Sequence, residues 1–235
     1  MAVEKSATEI QTPATVLPLE SGDRLTRTEF ERRYHAMPHV KKAELIEGVV
    51  YVPSPVRFAS HGQPHGWIIT WLGVYAAATP GVALSDNATV RLDLDNEPQP
   101  DALLRLDERL GGRSRLSPDD YIEGGPELIA EIAASSAAYD VHDKLRAYRR
   151  NQVQEYLVWQ VHEHRVDWWQ LQEGAYVPLP ADTRGIVRSV VFPGLWLATP
   201  ALLAGNLAEV LVVLHAGLAA PEHRDFVEEL ATRQV

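Results

Sequence analysis

Apolar residues recur along this chain with two periods, and the switches between them mark out its elements. Between Gln63 and Ala78 the bulky residues Trp67, Ile68, Trp71, Leu72 and Tyr75 keep to one helical face. The run Glu127 to Ala133 is apolar on both faces, as a central strand must be, and Glu155-Tyr156-Leu157-Val158-Trp159 reads as a further strand. A helix is predicted from Asp140 to Asn151, led in by Ser135 or Ser136, with Val141, Lys144, Leu145 and Tyr148 on its inward side. Two hairpins are predicted, one within Ala43 to Val52 around Glu47-Gly48, the other joining Arg165–Leu171 to Ala175–Leu179 around Glu173-Gly174. Thr26 or Thr28 is placed to cap a short helix running through Tyr34, with Glu29 and Glu31 in its first turn. Ala88 to Leu94 alternates like a strand, Asp101 to Leu106 follows a proline-rich connection, and Gly111 to Gly125 reads as a polar loop. Leu202 to Ala219 and Glu222 to Arg233 are helical by pattern.

Assembled, these elements predict an α/β protein in which a mixed β-sheet is flanked by helices. It carries an N-terminal helix-hairpin and a C-terminal helical extension. A length of 235 residues accommodates one substantial domain with extensions. The expected boundaries are a loose arm over 1–20, a domain over 21–199 and the helical extension over 200–235. The apolar content of that extension suggests a homodimer. Its longest apolar stretch, Leu202 to Ala220, is interrupted by Asn206, Glu209 and His215, so no membrane span is expected. The chain has no cysteine, which excludes disulfides, thiolate metal sites and cysteine nucleophiles. With no basic flank and apolar core among the first residues, a cytoplasmic protein is expected.

Three ionisable side chains stand where a bland core would not put them. Asp101 follows a proline at the head of an apolar run, Glu131 interrupts a strand otherwise apolar on both faces, and Lys144 lies on the inward side of a helix. Buried charges are costly unless paired or bound to a metal. Taken singly, Asp101 is an ordinary strand-start residue and Lys144 a lysine snorkelling at the margin of an apolar stripe. Glu131 is harder to dismiss, because carboxylates are rare in the middle of a fully buried strand. Two carboxylates close together need an intervening cation, and oxygen ligands favour Mg²⁺ or Mn²⁺. Such an ion would generate hydroxide and stabilise charge on a phosphodiester.

The formal net charge of −10 runs against tight nonspecific binding of nucleic acid. Lys41-Lys42, Arg113, Arg115, Arg146 and Arg149-Arg150 are nevertheless available for a local basic patch. His35 and His39, and His61 and His65, have the i,i+4 spacing of a helical metal site, but prolines interrupt both pairs. Surface positions are expected for them, with His65 able to approach the site from a helix start. His162 and His164 read as exposed. Trp67, Trp71, Trp168 and Trp169 read as core or interface residues.

In order along the chain, Glu44-Leu45-Ile46-Glu47-Gly48, Pro100-Asp101, Glu131-Ile132-Ala133, Tyr139-Asp140 through Lys144 to Tyr148, Glu155-Tyr156-Leu157-Val158 and Val191-Phe192-Pro193-Gly194-Leu195 resemble the motifs of one bacterial family. It is the restriction-endonuclease-like family within the PD-(D/E)XK nuclease superfamily. The resemblance spans about Thr28 to Leu197. It implies a restriction-endonuclease-like α/β core, a divalent metal (Mg²⁺ or Mn²⁺), DNA as partner and phosphodiester hydrolysis. By the same resemblance Asp101 and Glu131 take the metal-ligand places, Lys144 and Glu44 are catalytic, and Val191–Leu195 is a C-terminal strand motif. One departure stands out. The superfamily's usual lysine lies two residues after the second acid, where this chain has Ala133, so Lys144 must serve from the following helix. Two other readings remain: a catalytically inactive nuclease-fold protein that binds nucleic acid or assembles with a partner, and a carboxylate-metal hydrolase of another phosphoester.

Overall fold

The structure is a computed structural model that describes residues 16–53, 57–134 and 140–233. Most of the expected arm, the Ser135 or Ser136 lead-in and Tyr139 lie outside those residues.

A six-stranded sheet organises the chain. Its strands are β3 (Val82–Asp86), β5 (Ala102–Leu106), β8 (Leu128–Ala133), β9 (Glu155–Gln160), β10 (Arg165–Gln172) and β11 (Ala175–Pro178), in the order β11-β10-β9-β8-β5-β3. The β8–β9 pair is parallel and its neighbours are antiparallel, so the sheet is mixed. A parallel pair needs a crossover. Here it consists of a one-turn π-helix, Asp140–Lys144, continued by the helix α3 (Leu145–Arg150). Both predicted central strands are buried along their whole length.

Alternation along the strands gives each face its own core. Ala102, Leu104, Leu128, Ala130 and Ile132 face Ile68, Trp71, Leu72 and Tyr75 of the helix α2 (Gln63–Ala78). That layer also takes in Leu202 of α4 (Thr199–Leu203), Val210 and Leu214 of α5 (Leu207–Leu218) and Leu230 of α6 (Pro221–Arg233). The apolar face of the C-terminal helices is therefore packed within the chain's own core. On the opposite face Leu103, Ile129, Ala133, Tyr156 and Val158 pack with Tyr148 of α3. Among the described residues no helix is long and apolar enough to cross a membrane.

Beyond this second face lies the helix-hairpin unit: α1 (Arg27–His35), β1 (Glu44–Ile46) and β2 (Val49–Tyr51). Its turn has positive φ at both Glu47 and Gly48, the backbone of a two-residue turn whose twist suits a hairpin. Glu173-Gly174 repeats this geometry between β10 and β11. Thr26 takes the N-cap position of α1 without a side-chain capping bond.

Several expectations are revised. Of Ala88–Leu94 only β4 (Val90–Arg91) is a strand, because the chain turns back at Asp93–Asn96. The polar loop holds two short strands, β6 (Arg115–Leu116) and β7 (Ile122–Glu123), which complete a small sheet with β4. Val191–Leu195 is a turn joining β12 (Ile186–Arg188) to β13 (Trp196–Ala198). Pro193 cannot donate to a ladder, and Gly194 has a φ of 85°, with a Cβ there standing 2.6 Å from that of His223.

A buried carboxylate secures this turn. Glu155 at the start of β9 accepts hydrogen bonds from the backbone N–H of Val190 and Val191 and from the side chains of Ser189 and Trp168. Replacing it strands these donors in a dry core. Glu155→Ala is expected to lower unfolding free energy by about 3 kcal/mol or more, and Glu155→Gln by less, in urea titrations.

A second buried acid ties the hairpin to the sheet. Glu97 exchanges backbone hydrogen bonds with Leu45, and its carboxyl faces Glu31. Burial first, and then Glu31, push its pKa up to about 8 against the pull of Arg91 and Arg27. A protonated Glu97 is favoured in the folded state. Its stabilising contribution is complete below the ordinary glutamate range and is lost as pH rises through about 8. Thermal unfolding temperature is expected to fall between pH 6 and 9, with a flatter profile in Glu97→Gln.

Candidate active site

The β5–β8 ladder is antiparallel, with Ala102 opposite Ala130. One step further places Asp101 opposite Glu131, just past the end of β5. Pro98 and Pro100 have no N–H to extend the ladder. Side chains complete it instead. The Ile132 N–H donates to Asp101 Oδ2 at 2.8 Å, and the Asp101 N–H reaches Glu131 Oε2 at 3.4 Å. Both carboxylates belong to the face shared by Leu103 and Ile129, toward α3 and the hairpin. The expected juxtaposition of Asp101 and Glu131 on neighbouring strands is therefore present.

Lys144 comes down onto these acids from the end of the π-turn. Its Nζ lies 2.8 Å from Glu131 Oε1 and 3.0 Å from Glu44 Oε1, and all three side chains are buried. Tyr148, one turn along α3, donates its hydroxyl to the same Glu131 oxygen at 2.8 Å. Glu44, held on β1, accepts the backbone N–H of Gln99 at 2.7 Å. The four site residues expected from sequence thus form one group: Asp101 and Glu131 from the sheet, Lys144 from the crossover, Glu44 from the hairpin.

Of the rim around Asp101, the sequence points only to His65. His61 Nε2 lies 3.2 Å from Asp101 Oδ2 and Lys42 Nζ lies 3.6 Å from Oδ1. His65 Nε2 lies 2.8 Å from the Asp101 carbonyl oxygen and 3.1 Å from Asp86 Oδ1. Every one of these partners is an acceptor, so Nε2 of each ring carries a hydrogen. Both histidines are partly buried, against the surface positions expected for them. Helical spacing pointed at them correctly, but Pro64 lies within the first turn of α2, where a missing N–H costs little. His162 and His164 are exposed as expected, while Trp71 and Trp168 are core residues.

Burial would raise the pKa of Asp101. The hydrogen bond from His61 and the charges of Lys42, His61 and Lys144 outweigh it and hold the carboxyl well below its usual range. Asp101 is an ionised carboxylate.

The donor set of Asp101, Glu131 and Glu44 is all oxygen and hard, and two of its members are register neighbours. That chemistry fits a small divalent cation. As the side chains stand, however, no group of three or more His, Asp or Glu among the described residues is arranged to hold a metal ion. The ammonium of Lys144 fills the role of counter-cation to Glu131 and Glu44.

The mixed sheet and the helices that flank it form an α/β nuclease fold. The sequence matches the Uma2 family, described as "Putative restriction endonuclease", over residues 28–200, and the chain belongs to that family. Among solved structures it resembles the crystal structure of "a putative nuclease belonging to DUF820 from Anabaena variabilis ATCC 29413", with a TM-score of 0.55 and 13% identity, covering 74% of this chain and 96% of that one. No curated protein matches the chain.

Sequence alone suggests that Lys144→Ala would spare the fold. Its burial between two carboxylates argues otherwise. Truncation leaves both acids without their cation, and a loss of about 3–5 kcal/mol is expected in chemical denaturation. The double variant Lys144→Met/Glu131→Gln should recover part of that loss.

Proposed function

We propose that this protein is a metal-dependent endonuclease that hydrolyses phosphodiester bonds of DNA at the Asp101–Glu131–Lys144 group. The observation that carries the reading is the opposed pair of carboxylates on β5 and β8 with a lysine ammonium at hydrogen-bond distance from one of them.

Asp101 and Glu131 would hold Mg²⁺ or Mn²⁺, with Glu44 as a third oxygen donor. When bound, such an ion lowers the pKa of water and offsets charge on phosphoryl oxygens. The chain's own residues prepare the site for it. His61 and Lys42 keep Asp101 ionised, while the Ile132 N–H fixes the orientation of its carboxylate. Tyr148 holds one oxygen of Glu131 by a neutral hydrogen bond, so Glu131 keeps its orientation when Lys144 moves. Lys144 carries a positive charge into a dry pocket, where it stabilises a developing negative charge more than it would in water. Glu44 positions that ammonium from the opposite side. Ala133 has no functional group, and Lys144 stands in for the strand-borne lysine from the helix.

A second reading has its own support. Lys144 already neutralises the acids internally, and no three-donor arrangement is present among the described residues. Both features suit a nuclease-fold protein that binds nucleic acid without cutting it.

Cleavage of supercoiled plasmid in Mg²⁺ or Mn²⁺, abolished by EDTA, tests the first reading. Asp101→Asn and Glu131→Gln are expected to slow nicking by about a hundredfold or more while circular dichroism stays unchanged. Both should also weaken Mn²⁺ binding measured by electron paramagnetic resonance. Wild-type protein that binds DNA but leaves every substrate intact would replace this reading with the second.

A further inference from the structure

The approach to Asp101 carries an aromatic side chain that the core does not use. Phe58 opens the one-turn π-helix Phe58–Gly62 that leads into α2. Its ring is 74% exposed and belongs to none of the hydrophobic clusters. The turn is tight, since the Arg57 carbonyl accepts the N–H groups of both His61 and Gly62, at 3.1 and 3.0 Å. Phe58 and His61 are therefore held on the same turn, three residues apart in the chain. His61 in turn touches the Asp101 carboxylate. Phe58 thus shares its turn with a residue that contacts a candidate catalytic acid.

A single exposed phenylalanine is unremarkable by itself. Its neighbours give this one a role. Arg57 precedes it in the chain, is exposed, and has no ion-pair partner among the described residues. Lys42 reaches the same carboxylate from the hairpin side. A protein of net charge −10 therefore carries cations and one bare aromatic on the two segments that reach Asp101. That combination suits single-stranded nucleic acid, where cations follow the backbone and an aromatic face takes a base. A base inside a duplex is already stacked on both sides and has no face to offer.

We propose that Phe58 is a base-stacking residue that holds an unpaired nucleobase beside the Asp101 site, with Arg57 and Lys42 facing the adjoining phosphates. This rests on the reading of the site as a nucleic-acid site and narrows its substrate to DNA with a single-stranded stretch. Phe58 positions the strand and takes no part in bond breaking.

The test uses single-stranded oligonucleotides carrying 2-aminopurine at successive positions, titrated with full-length protein in EDTA so that nothing is cut. Wild type should quench the fluorophore at one or two positions. Phe58→Ala should lose that quenching and bind about tenfold more weakly, while Phe58→Trp retains both. A blunt duplex of the same sequence should bind wild type and Phe58→Ala within about twofold of each other. Equal quenching and affinity for wild type and Phe58→Ala would overturn the proposal, as would failure of wild type to bind the single strand. Plasmid and oligonucleotide cleavage in Mn²⁺ separates the two claims. Quenching without cleavage by wild type keeps the stacking site and removes the nuclease activity, whereas cleavage with no effect of Phe58→Ala on binding does the reverse.

Discussion

The architecture depends on neutralising Glu131. A carboxylate in the middle of a strand buried on both faces is tolerable only with a cation and hydrogen-bond donors close by. Lys144 and Tyr148 supply them, and both arrive on the crossover helix. That helix must therefore dock in one register on the sheet, since a shift of a single residue would turn Lys144 away. Glu44 then draws the hairpin toward the same ammonium. One ionic group thus joins the sheet, the crossover and the hairpin.

The same solution recurs around the sheet in weaker forms. Asp101 accepts the Ile132 N–H that the end of β5 leaves without a strand partner. At the other end of β5, Glu127 accepts the N–H groups of Leu106 and Arg113. Glu155 does likewise for the turn at Val190 and Val191. In each case a buried carboxylate finishes a ladder or turn that backbone geometry leaves open. Among the described residues, these acids are accompanied by lysine and imidazole near Asp101 and Glu131, where the proposed chemistry is placed.

Much of this was legible in the sequence, for reasons that differ by element. The central strands β8 and β9 were plain because burial on both faces writes a continuous apolar run. Glu131 was plain because it breaks that run. The inward side of Lys144 follows from helical spacing, whereas Glu44 is pointed to only by the family resemblance of its hairpin. The turn at Val191–Leu195 was misread because apolar residues there serve tertiary packing under α2, and local patterning does not report that. His61 and Lys42 are not legible as partners of Asp101 because they come from the start of a helix and the flank of a hairpin. Sequence shows no period that links them to Asp101.

The position of Glu155 has a consequence for how the chain is made. Its strand is the parallel partner of β8, yet apart from the Trp168 indole its hydrogen-bond donors named above lie over thirty residues later, at Ser189 to Val191. During synthesis from the N-terminus, Asp101, Glu131 and Lys144 all leave the ribosome before those donors exist. A nascent chain ending short of Ser189 leaves that carboxylate with the Trp168 indole N–H as its donor. The last turn to be made therefore completes the hydrogen bonding of a central strand in the sheet that carries Asp101 and Glu131.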